Sequence, residues 1–155
     1  MGAVRISLFS AVALLCALPA SAQERRWMTD SSSFGVEMMF GTPNSDDVLF
    51  AIRCDSRAKE IFVGFAYDPV GVQPGSTIDL DLYSEGGHVV LPAHVSYFPE
   101  MQVTLIETPN VTGAGLRPIF TKGSVLEVRV LDGGEDVSLS GMEADFDALF
   151  TACDE

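Results

Sequence analysis

The sequence is poor in the side chains that most often carry chemistry. Its 155 residues include three cysteines, two histidines and one tryptophan. No two cysteines are close enough to form a CxxC redox pair. A zinc site would need more ligands than the cysteines supply, and only His88 and His94 are available. In one strand those two share a face but stand about 20 Å apart, at about 3.3 Å per residue, too far to hold one metal. Basic residues are also scarce, with 9 Lys and Arg against 22 Asp and Glu. No basic patch with interleaved aromatics occurs, which argues against nucleic acid as a partner. The chain has no G-x-S-x-G nucleophile elbow. "GAG" at 113–115 lacks the length and the following helix of a phosphate-binding loop. No cofactor, metal or catalytic residue is therefore expected.

The compartment follows from the first 22 residues. One positive charge near Met1, an apolar run from Ile6 to Leu18, and Ala20-Ser21-Ala22 have the order of a secretory signal peptide with an A-x-A cleavage site. The run is shorter than the about 20 residues needed to span a bilayer, so no stable membrane anchor is expected. Cys16 follows the bulky Leu15, which disfavours lipid attachment there. The expected product starts near Gln23, is periplasmic or secreted, and forms one domain over residues 23–155. It keeps 8 basic against 22 acidic side chains, a net charge of −14. Such charge suits solubility and a cationic protein partner.

Within this segment the pattern is mainly β. "TIDLDLY" alternates strictly, with Ile78, Leu80 and Leu82 on one face. "SVLEVRV" places Leu126, Val128 and Val130 together, and "MQVTL" does the same for Met101, Val103 and Leu105. "VLFAIRC" and "EIFVGFAY" are more continuously apolar and read as central strands buried on both faces. The segment Asp55–Glu60 between them reads as their connecting turn. Other turn signals are "GTPNSDD", "DPVGVQPGS", "SEGGH", "TPNVTGAG", "TKGS" and "DGGED". No segment between strands is long enough for a parallel crossover helix. At the end, Ser140 and Glu143 have capping-box spacing, and Met142, Phe146, Leu149, Phe150 and Cys153 form one helical stripe. The expected fold is a single antiparallel β-sandwich or small barrel closed by a short C-terminal α-helix.

Cys54 and Cys153 are the only cysteines left after the leader, in an oxidising compartment, so a disulfide between them is expected. It would pin a helix too short to be stable alone. Among carboxylates, Asp79 and Asp81 are the best pair. At i and i+2 on a strand they project together about 6.6 Å apart, within the range of glycosidase acids. The same spacing arises on any acidic outer face, which is the preferred reading. His88 and His94 read as solvent-facing residues of an edge segment that Pro92 interrupts. "DGGED" is too short for an EF-hand loop and reads as a hairpin turn.

Trp27 just after the leader, "LFAIRC" over Leu49–Cys54, and "GMEADFDALFTAC" over Gly141–Cys153 together resemble the periplasmic proteins associated with type VI secretion. The resemblance implies a disulfide-stapled domain and, for function, an accessory of a secretion machine. The expected role is an exported, non-enzymatic protein-binding domain of the bacterial envelope. The alternative is an acidic inhibitor of a cationic enzyme such as lysozyme, favoured by charge. The least expected is a carboxylate-dependent hydrolase using Asp79 and Asp81.

Overall fold

The computed structural model describes residues 24–108, 111–131 and 133–154. The leader expected over residues 1–22, with Cys16 and the expected cleavage site, lies outside the described residues. Nine strands and two helices follow one another: β1 (Arg26–Ser32), β2 (Gly35–Gly41), β3 (Val48–Asp55), β4 (Glu60–Ala66), β5 (Thr77–Ser84), β6 (Gly87–Phe98), β7 (Val103–Glu107), α1 (Gly113–Thr121), β8 (Val125–Val130), β9 (Gly133–Ser138) and α2 (Glu143–Asp154). The strands make one sheet in the order β1-β2-β3-β4-β7-β6-β5-β8-β9, and every pairing is antiparallel. The mainly β class with its closing helix is as expected. Of the two architectures anticipated, the chain takes the barrel-like one, a single sheet curled into a half-barrel.

Curling lets one sheet bury one face without a second sheet. The concave face carries Phe50, Ile52, Ile61, Val63, Phe65, Leu80, Leu82, Leu126 and Val128, all fully buried. Both helices lie within the curl, α1 over β5 and β6 and α2 over β2 and β3. Phe120 of α1 sits between Phe146 and Phe150 of α2, with ring centroids 4.9 and 5.9 Å away. Trp27 of β1 meets Phe146 edge-on at 5.0 Å. Arg117 of α1 clamps the outer face of α2, its Nη2 donating to Asp147 Oδ1 at 2.6 Å and its Nη1 to Asp154 Oδ2 at 3.2 Å. Cys54 on β3 is bonded to Cys153 on the last turn of α2, with Cα atoms 5.7 Å apart. The stripe Phe146, Leu149, Phe150 and Cys153 is buried as its spacing predicts.

Several local expectations are corrected. The helix α1 stands where only turns were expected around "TPNVTGAG" and "TKGS"; Gly113, Gly115 and Pro118 mask it, since glycine and proline are the weakest helix formers. Leu116, Ile119 and Phe120 nevertheless bury one face of it, and tertiary contact overrides propensity. No hydrogen bond joins Ser140 to Glu143 among the described residues; the helix entry is set instead by Met142 N donating to Leu139 O at 3.1 Å. The strand β4 is buried on one face only, and so is β3 beyond its adjacent buried pair Leu49 and Phe50. Arg53 and Phe62 face outward, with the guanidinium 4.8 Å above the ring. In β7 the buried residue is Ile106, whereas Met101 lies in an exposed turn. The "DGGED" turn is shorter than expected, because β9 already starts at Gly133 and only residues 131 and 132 separate it from β8. The strand β6 runs unbroken through Pro92 and is interior rather than an edge. Its ladder with β7 starts only at His94, so no β7 residue pairs with Pro92, which has no amide hydrogen to give.

The turns hold their own carboxylates. Asp55 accepts from the amides of Ala58 and Arg57, which keeps its pKa below the ordinary 3.8. Asp47 is lowered by Arg25 and then Thr42, and Glu85 by its own amide and by Ser124. Folded-state values that are depressed add stability above the unfolded values, 3.8 for Asp and 4.5 for Glu, and that stability is lost as pH falls through the folded values. Thermal melts between about pH 6 and pH 3 should therefore show Tm falling at the acid end. Asp55→Asn keeps a turn-forming side chain but removes the charge, so its melting curve should respond less to acid. Parallel curves for the two proteins would contradict this.

Candidate functional site

The side chains singled out in the sequence gather on the convex face. The β5–β6 register sets Thr77 opposite His94, Asp79 opposite Pro92, Asp81 opposite Val90 and Tyr83 opposite His88. His88 Nε2 and Asp81 Oδ1 are 2.8 Å apart, and His94 Nδ1 lies 3.1 Å from Thr77 Oγ1. The structure thus joins Asp81 to His88 but keeps the two histidines six residues apart on one strand. Arg129 on β8 faces Asp81 in register yet bonds Glu127 and Asp136, at 3.1 and 2.5 Å. Asp79 and Asp81 line an open cleft of about 420 Å³ with Thr77, Ile78 and Leu131. Both carboxylates border open solvent there, and no enclosed cavity surrounds either of them. No cluster of three or more potential metal ligands occurs among the described residues.

A second feature lies at the end of the half-barrel formed by the loop 67–76, the β6–β7 hairpin and the β8–β9 turn. Gly75 N donates to Val95 O at 2.7 Å, and Tyr67 N to Thr104 O at 3.1 Å, tying the loop to the hairpin. Five large apolar side chains face water there: Val70, Tyr97, Phe98, Met101 and Leu131. Asp68 stands among them, donated to by Thr104 Oγ1 at 3.1 Å, and Glu100 follows in the hairpin turn. Leu131 is 63% exposed and has a φ of 50°. A two-residue hairpin turn favours Asn, Asp or Gly at such a position, because a Cβ is crowded there. Sequence reasoning passed over Leu131, although an apolar residue immediately before "DGG" was its available signal.

A third feature is the seam where the curl stops short of closing. Trp27 Nε1 donates to Ser138 O at 2.6 Å, linking β1 to the end of β9. Beside this bridge is a cleft of about 640 Å³ with Trp27, Phe40, Pro43 and Met142 as apolar wall and Arg25 and Arg26 at its lip. Arg25 is tied to Asp47 at 3.0 Å.

One antiparallel sheet curled around two helices, with the last helix stapled to a strand, defines the class as a disulfide-bonded half-barrel. The chain is similar in fold to the crystal structure of invasion associated protein B from Bartonella henselae, with a TM-score of 0.51 at 13% sequence identity. The likeness covers 83% of this chain and 94% of that one. No protein-family model matches the chain, and neither does any curated protein.

Proposed function

We propose that this protein is an exported, non-enzymatic domain that binds another protein as an accessory of the bacterial envelope or of a secretion machine. The observation that carries this reading is Leu131, which is both water-exposed and left-handed. A leucine there costs about 1 kcal/mol relative to a residue suited to the turn. It buries little in return, so contact with a partner accounts for its presence. Val70, Tyr97, Phe98 and Met101 extend the same apolar end, flanked by acidic groups that suit a cationic partner. The leader-like residues 1–22 and the disulfide support export. Among the described residues no helix is long and apolar enough to cross a membrane.

The test is Leu131→Asn. The variant is expected to be more stable by about 1 kcal/mol, seen as a higher Tm, because asparagine tolerates the left-handed turn. It should also lose partners that the parent protein retains in crosslinked pull-downs from periplasmic extract, as should Val70→Asp. Recovery of the same partners by both variants would defeat the reading. The net charge of −14 carried by residues 23–155, 8 basic against 22 acidic side chains, favours a second reading, an acidic inhibitor of a cationic enzyme. An unchanged lysozyme rate in the presence of excess protein would end that one.

A further inference from the structure

The sheet ends in two edges, and they are not equally protected. The edge strand β9 carries the adjacent acids Glu135 and Asp136, which would crowd their own copies in a two-fold pairing centred on them. Arg129 Nη1 also already donates to the Glu135 carbonyl at 2.9 Å. The other edge, β1, has no strand on its outer side among the described residues, and its Trp27 side chain alone reaches across the seam, to Ser138 O of β9. The strand β1 pairs with β2 through all seven residues in continuous register, without bulge, proline or lysine. Beyond that ladder, no backbone partner meets Arg26–Ser32 among the described residues. An edge of this length whose outer backbone groups are unpaired is a template for another strand.

The charges of β1 say which strand fits. Arg26, Met28 and Asp30 alternate onto the convex face. Arg26 and Asp30 make no ion pair among the described residues, and about 13 Å of strand keeps them from pairing with each other. On β2, Asp30 instead faces Glu37, a like charge directly opposite. We infer that β1 is a dimerisation edge, on which a second copy of this chain lays its own β1 antiparallel about a two-fold axis. In that register Arg26 of each copy faces Asp30 of the other, and Met28 meets its own copy. Both arginines are then neutralised, and each Asp30–Glu37 repulsion is relieved from the open side. The two sheets become one continuous sheet, and the apolar end with Leu131 remains available.

Sedimentation and light scattering of the mature protein test this by charge reversal. The parent protein is expected to be a dimer in concentration-dependent exchange with monomer. Arg26→Asp and Asp30→Arg should each weaken the dimer about tenfold or more, since two pairs turn repulsive at once. An equimolar mixture of the two variants should recover a heterodimer, because every facing pair is again opposite in sign. Asp30→Arg meets Glu37 favourably within its own chain, so its loss of dimer cannot be put down to unfolding; circular dichroism checks this. A parent protein that is monomeric at all concentrations overturns the inference. So do single reversals that dimerise like the parent, or a mixture that stays monomeric.

Discussion

Replacing Cys153 with serine is expected to lower the free energy of unfolding by about 2–5 kcal/mol, read as a reduced denaturant midpoint. The disulfide joins positions 99 residues apart, so it removes a large part of the unfolded chain's freedom, about 4.7 kcal/mol in the chain-entropy model. The native-state loss falls on α2, a helix of 12 residues that would be marginal alone in water. Arg117 still ties α2 to α1 in the variant, but its ion pairs are exposed and hold little by comparison. Cys54→Ser should match Cys153→Ser, and the double variant should cost no more than either, because all three remove one covalent link. Reductant should bring the parent protein to the same midpoint. Equal midpoints for parent and variants would show that the link contributes nothing.

Phe146→Ala is expected to cost about 3–5 kcal/mol, the range for truncating a buried phenylalanine. Phe146 is fully buried where the two helices and the seam meet, with Phe120 at 4.9 Å and Trp27 at 5.0 Å. Removing its ring opens a cavity that the packed helices and sheet cannot easily collapse. Because Trp27 is the chain's single tryptophan, its fluorescence reads the same site directly. The emission should shift to the red in the folded variant as water reaches the indole. Phe34→Ala is the control, since Phe34 is 61% exposed at the β1–β2 turn, and its change should stay within about 0.5 kcal/mol. A variant at Phe146 as stable as the control would mean that the aromatic cluster is not part of the core.

How much was legible beforehand depended on whether a signal was local. Strict alternation in "TIDLDLY" and "SVLEVRV" marked the buried rows Leu80 and Leu82, and Leu126, Val128 and Val130. The stripe ending in Cys153 marked α2, and the two cysteines beyond the expected leader marked the staple. Strand β1 was not legible in this way, because "RWMTDSS" is polar and its exposure is that of an edge rather than of a half-buried strand. Helix α1 failed for the opposite reason. Its glycines and proline argue against a helix locally, and burial of Leu116, Ile119 and Phe120 against α2, β5 and β6 stabilises it. The candidate site was half legible. Asp81 and His88 were both noticed, but their contact is a matter of register across a hairpin, and Leu131 stands out only once its φ is known.

The amino-acid sequence alone determined the features that depend on period and composition: antiparallel strands, a terminal amphipathic helix, an excess of acidic side chains and a pair of cysteines beyond residue 22. Those follow from which side chains avoid water and from the spacing at which they recur. The tertiary structure alone decided that nine strands form one curled sheet rather than two stacked ones. It decided as well that α1 fills the curl beside α2, and that β1 and β9 are left as edges. Each of these depends on which segments meet across long stretches of chain, and alternation reads the same whether a strand lies in a sandwich, a half-barrel or at an edge.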